Sequence, residues 1–191
     1  MKLISLLKKI FRYFFPVKPF CIVGDNCIID KRAHIYNSSG NKNNITIGNN
    51  SCIDGELLVW KNAGKINIGE NTYIGLNTRI WSAKYISIGN RVQIAHNTNV
   101  FDSNIHSLDP KKRFEEYKRN TTVGLIKDAD WNEKEIFIDD DAWIGANVII
   151  LKGVNIGKAS IVGAGSVVVK DVPANSIVVG NPAHVIKVIN S

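Results

Sequence analysis

The chain has 191 residues, 45% hydrophobic and 21% charged, so most of it should fold, as one domain with a sizeable core. Its three cysteines, Cys21, Cys27 and Cys52, fit no metal spacing, and their odd number argues against a disulfide scaffold and for a reducing compartment. The formal charge of +7 is largely an N-terminal feature, because Lys2, Lys8, Lys9, Arg12 and Lys18 have no acidic partner among the first eighteen residues. That placement excludes a nucleic-acid-binding stripe along the domain.

Residues 1–19 form a basic amphipathic segment. Lys8, Lys9 and Arg12 interrupt the apolar run a signal peptide needs, and no small-residue cleavage site follows. The segment is too charged to span a bilayer. Leu3, Leu6, Leu7, Ile10, Phe11 and Phe14 fall on one side of a helix, which predicts a short N-terminal helical cap. Two placements stay open: on an anionic membrane surface, or against its own domain or a second subunit. A cytoplasmic protein, peripheral on the inner face of a membrane, is the matching localisation.

The domain proper is predicted over residues 20–189. Residues 20–46 read as irregular first turns. From there apolar anchors recur every six residues: Ile47, Ile53 and Val59; Ile68, Ile74 and Ile80; Ile88, Ile94 and Val100; then Ile138, Ile144, Ile150, Ile156, Val162 and Val168. Glycine follows the anchor at Gly48, Gly69, Gly75, Gly89, Gly145, Gly157 and Gly163. A period of six is neither helical nor that of an ordinary sheet. It suits a short strand and a tight corner, and three such units close one triangular turn of an all-β parallel solenoid. Anchors eighteen residues apart then stack, Ile138 on Ile156 and Ile144 on Val162, burying a core that no single turn makes. Glycine and asparagine suit the corners because they tolerate unusual backbone angles. Extra residues before Ile68 and Ile88 predict small bulges at corners.

The repeat stops in NVFDSNIHSLDP, Asn99 to Pro110, beside His106, and residues 107–137 carry no anchors. This polar stretch predicts a protruding loop, and its position predicts a functional one. Lys111, Lys112, Arg113, Lys118 and Arg119 suit an acidic or phosphate-linked glycan. Trp131 either stacks on a sugar ring or pins the loop down. At the far end PAHVIKVIN predicts a short C-terminal helical cap, or an extended one, covering the open solenoid edge.

The strings IGNRVQIAHNTNVFDSNIHSLD, DDDAWIGANVIILKGVNIGKASIVGAGSVVVKDVP and GNPAHVIK resemble the left-handed parallel β-helix, or hexapeptide-repeat, acyltransferases. Among them the sugar and polysaccharide O-acetyltransferases are the nearest match. The resemblance covers about residues 20–189. It implies a homotrimer with acetyl-CoA in a groove between adjacent solenoids and a histidine at the start of a protruding loop acting as general base. That histidine matches His106. Trp143 matches the tryptophan lining the pantetheine channel, Ala164 the alanine whose backbone holds the pantetheine, and Lys170 a lysine near the nucleotide phosphates. One departure stands out: Ala83 occupies the place of the histidine-orienting aspartate of galactoside and maltose acetyltransferases.

Transfer of an acetyl group to a sugar hydroxyl asks for a base of near-neutral pKa, which suits histidine. Asp102 and Asp109 compete to orient the His106 ring. Asp102, two residues after anchor Val100, also suits a role capping the turn backbone. Asn104 is a candidate oxyanion donor. His96, two residues after its own anchor, either meets the acceptor or is a corner residue. Lys187 reads as ordinary solvated charge. The leading expectation is an acetyl-CoA-dependent O-acetyltransferase acting on a sugar or glycan, lipid-linked if the N-terminal segment meets a membrane. Alternatives are an amino-sugar N-acetyltransferase in the same groove and a non-catalytic solenoid scaffold. A zinc hydratase needs three converging histidines, and only His96 and His106 share a repeat phase, so no metal is expected.

Overall fold

The computed structural model describes residues 20–60, 64–123 and 131–189. The amphipathic segment 1–19, and the membrane contact expected of it, lie outside the described residues.

The chain winds into a left-handed parallel β-helix with three faces. The first sheet holds β1 (Ile22–Val23), β4 (Ile45–Ile47), β7 (Ile66–Ile68), β10 (Ile86–Ile88), β13 (Ile136–Ile138) and β16 (Asn155–Ile156). The second holds β2 (Ile28–Ile29), β5 (Cys52–Ile53), β8 (Tyr73–Ile74), β11 (Gln93–Ile94), β14 (Trp143–Ile144), β17 (Ile161–Val162), β19 (Ser176–Gly180) and β20 (Ala183–Val188). The third holds β3 (His34–Asn37), β6 (Glu56–Val59), β9 (Arg79–Ser82), β12 (Asn99–Phe101), β15 (Ile149–Leu151) and β18 (Val167–Val168). Among the described residues every strand pairing is parallel except that of β19 with β20, which is antiparallel.

The inward positions form three stacks. Ile138 pairs in register with Ile156, and Ile144 with Val162. In the third sheet Ile80 pairs with Leu57, so Leu57 is the anchor there, and Val59 faces inward opposite Ser82. The six-residue count placed Val59 in that role. The slip arises because the corner before β6 is two residues shorter than the one before β9: Ile53 pairs with Ile74, yet Leu57 follows Ile53 by four residues where Ile80 follows Ile74 by six.

The repeat glycines and the asparagines solve different problems. Asn50, Asn71, Asn77, Asn97 and Asn147 take the left-handed conformation, with φ between 55° and 59°. Asparagine is the side chain that tolerates it best after glycine. Gly69 has no such backbone. A Cβ there would sit 2.6 Å from the backbone of Gly89 on the next coil. Crowding, not backbone freedom, selects the glycine. Gly69→Ala is therefore expected to cost about 2 kcal/mol, the usual scale for overpacking. A lowered urea midpoint checks this, and an unchanged one refutes the steric reading.

Of the two caps expected at the C-terminus the extended one forms, not the helical one: β20 folds back on β19 and covers the edge by pairing with it. The excursion after β12 is not all loop, since it carries the helix α1 (Pro110–Val123).

Candidate functional site

Asp102 follows β12 and turns inward, fully buried. Its Oδ1 accepts the Ala83 N–H at 2.7 Å, and its Oδ2 accepts the Ser82 hydroxyl at 2.7 Å and the Lys84 N–H at 2.9 Å. These residues form the corner of the preceding coil, where the two-residue addition before Ile88 lies. The carboxylate thus organises the extra chain that the repeat cannot place. Burial pushes its pKa above the usual carboxylate range, and hydrogen bonds from Ala83, Ser82 and Lys84 pull it back. Asp102 makes no hydrogen bond to His106, so the expected orienting role is replaced by this turn-capping one.

The excursion is clamped at its base. The Asp102 carbonyl accepts the Lys134 N–H at 2.8 Å, and the Asn104 N–H donates to the Trp131 carbonyl at 3.0 Å. Trp131 is 5% exposed and packs edge-on against Trp60 at 5.5 Å. It pins the excursion down, leaving little ring surface for a sugar.

Within that clamp the backbone is strained. Ile105 has φ 65°, a conformation that β-branched side chains strongly resist. His106 follows, its side chain 58% exposed, with Nδ1 3.7 Å from Glu116 Oε2. Glu116 projects from α1, its side chain only 13% exposed, and the same Oε2 accepts the Ser107 N–H at 3.2 Å. Among the described residues Nε2 of His106 has no hydrogen-bond partner. Asp109, the other expected orienting carboxylate, caps α1 instead. Its Oδ1 accepts the N–H groups of Lys111 at 2.8 Å and Lys112 at 3.4 Å, and its carbonyl accepts that of Arg113 at 2.9 Å. With Pro110 at the first helical position, this is a standard helix start. Glu116 was absent from the candidates, although Asp109–Pro110 signals the helix that delivers it.

The residues matched to donor binding lie elsewhere. Trp143 projects from the outer face of β14, 53% exposed. Ala164 is exposed at the corner between the second and third sheets, and Lys170 is exposed just beyond β18. That corner is continuous along the solenoid. The Gly165 N–H donates to Ala146, Asn147 to His96, and Asn97 to Leu76, each across one coil. The His96 ring is exposed on the same corner. The side-chain amide of Asn104, half-buried, makes no hydrogen bond among the described residues. The excursion bearing His106 leaves at the other end of the third sheet, beside Ser82–Lys84. One chain therefore holds Ala164 and His106 on different corners of the prism, separated by the width of a sheet.

Three faces of parallel hexapeptide coils, with an excursion after β12, make a left-handed β-helix. Residues 135–170 match the bacterial transferase hexapeptide family (six repeats). The chain is 31% identical over 173 residues to a galactoside O-acetyltransferase of Lactococcus lactis, covering 91% of this chain and 65% of that protein. It is 33% identical over 147 residues to the Escherichia coli galactoside O-acetyltransferase, covering 76% of this chain and 64% of that protein. The chain thus spans just under two thirds of the length of these relatives. A solved structure of AntD, an N-acyltransferase from Bacillus cereus in complex with dTDP-4-amino-4,6-dideoxyglucose and coenzyme A, superposes with a TM-score of 0.69 at 26% identity. That match covers 98% of this chain and 89% of the other. The chain carries the bacterial transferase hexapeptide repeat over residues 135–170 and is similar along most of its length to acyltransferases.

Proposed function

We propose that this protein is an acetyl-CoA-dependent O-acetyltransferase acting on a sugar hydroxyl, with His106 as general base. The observation that carries the reading is the His106–Glu116 pair. An exposed imidazole follows a strained residue, its Nδ1 against an almost buried carboxylate and its Nε2 open. Strain of this kind persists where surrounding structure holds a functional group in place. The hydroxyl oxygen attacks the thioester carbonyl while Nε2 takes its proton. The carbon–sulfur bond then breaks, and the imidazolium returns the proton to the leaving thiolate. No acyl-enzyme is needed when both substrates share one groove.

That groove belongs between two chains, in a homotrimer. Ala164 and His106 sit on different corners of one prism, so a second chain brings one to the other. The exposed Tyr73 and Trp143 on the second sheet's outer face support this, since bare aromatic surface of that kind wants a partner. Trp143, Ala164 and Lys170 would hold the donor's pantetheine and phosphates.

Mixing two inactive variants tests the arrangement. His106→Ala lacks the base, and Ala164→Trp obstructs the donor wall. Co-assembled one to one, random assortment restores about one quarter of the sites if each site draws on two chains. Absence of any recovered acetyl-CoA-dependent thiol release would refute the shared groove. A second reading, N-acylation of an amino sugar, is favoured by the near full-length likeness to AntD. Loss of the product's acetyl group in mild base marks the ester, and its retention marks the amide.

A further inference from the structure

The corner carrying Ala164 and His96 ends, toward the N-terminus, in a polar cavity. It holds about 120 Å³ and is lined by Arg32, His34, Asp54, Glu56, Asn77 and Arg79. It continues the same corner, because Glu56 N–H donates to Thr78 and His34 N–H to Gly55 across successive coils. Asp54 is 8% exposed. Its Oδ2 takes Arg32 at 2.9 Å, yet its Oδ1 is buried without a hydrogen-bond partner. A carboxylate oxygen left so is costly, and a native structure that keeps one calls for a donor to fill it.

The remaining groups narrow what that donor is. Arg32 is already paired with Asp30 and Asp54. Glu56 accepts the Trp81 indole N–H at 2.6 Å. Arg79 lies over the Trp81 ring at 5.8 Å and makes no ion pair among the described residues. Among the described residues the open groups are the buried acceptor Asp54 Oδ1, the second oxygen of Glu56, the guanidinium of Arg79, the Asn77 amide and the exposed His34 ring, which stacks on Tyr36. A phosphate would face the carboxylates of Asp54 and Glu56. An ammonium would face two guanidinium groups. A hydroxyl both donates and accepts, so a vicinal diol satisfies Asp54 and Arg79 together. The volume is below the range of pockets that enclose a whole cofactor and fits the hydroxylated edge of a sugar ring.

We infer that this corner cavity is a binding site for the vicinal hydroxyls of a neutral sugar residue, the acceptor end of the groove. Its acceptor role rests on the acetyl-transfer reading above; its sugar binding does not. Ligand-observed saturation-transfer NMR on the full chain, without CoA, tests it. The probes are methyl β-galactoside, maltose and N-acetylglucosamine, with inorganic phosphate and methylamine as charged competitors. At least one sugar is expected to bind, unaffected by either competitor, and to bind at least tenfold more weakly in Arg79→Gln and in Asp54→Ala. Arg79 is exposed, so its variant keeps the fold if the buried Asp54 variant does not. Undiminished sugar binding in Arg79→Gln, displacement by phosphate or methylamine, or no sugar binding at all overturns the assignment. A chain that binds sugar through these residues but releases no CoA thiol keeps the cavity assignment and loses the transferase one.

Discussion

His106→Ala is expected to lower acetyl transfer by about 10²- to 10⁴-fold, the usual contribution of a positioned general base. The fold should be untouched. The ring is largely exposed, and surface substitutions away from caps and networks shift stability by only about 0.5 kcal/mol either way. Acetyl-CoA binding should also persist, since Trp143 and Ala164 lie on another part of the prism. Glu116→Gln sharpens the point. Glutamine keeps an oxygen for the Ser107 N–H but removes the charge beside Nδ1. The expected loss is about tenfold in kcat, roughly 1.4 kcal/mol of transition-state stabilisation, with the donor KM unchanged. Thiol-release kinetics on both variants, beside melting curves, would decide. Near-normal turnover in His106→Ala removes the proposed base. A Glu116→Gln variant that loses stability but not kcat makes Glu116 a scaffold residue only.

The repeat was legible because its physics is local and redundant. Each coil must place a branched aliphatic inward, so isoleucine and valine recur at fixed spacing, and stacking Ile138 on Ile156 follows by counting. The corner asparagines were legible for the same reason. Spacing locates the repeat glycines but not their cause: Gly69 is there because the next coil is close, a distance that no single coil reveals. The excursion was harder. Glu116 meets His106 only because a helix lies between them, and the start signal for that helix, Asp109 before Pro110, reads equally well in sequence as a carboxylate partner for the histidine. Asp102 was ambiguous in principle. Its partners, Ser82 to Lys84, lie one coil back, and only the register of β9 against β12 brings them under its carboxylate. The cavity at Asp54 had no sequence signal, because its lining comes from three coils.

Asp102 separates a structural from a catalytic role most cleanly. Asp102→Ala leaves the Ala83 and Lys84 N–H groups without acceptors in a buried corner, at about 1–3 kcal/mol each, so a loss of about 3 kcal/mol or more is expected. Asp102→Asn is milder, about 2 kcal/mol. Whichever way the amide is turned, its NH₂ faces one of those two N–H donors, while its oxygen serves the other. A protonated aspartate escapes that conflict, because its hydroxyl oxygen still accepts from Lys84 while donating toward Ser82. The sign of the pH dependence follows. With the folded pKa raised above the unfolded one, the stabilisation tied to Asp102 is fully present below the unfolded pKa, near 4, and is lost as pH rises through the folded value. The stability advantage of the wild type over Asp102→Asn should therefore shrink as pH rises through the acidic range, whatever the slope the other carboxylates give both proteins. The transfer rate per folded molecule should change far less than in His106→Ala. If Asp102→Asn melts like the wild type but has lost its turnover, the carboxylate serves the histidine and not the corner.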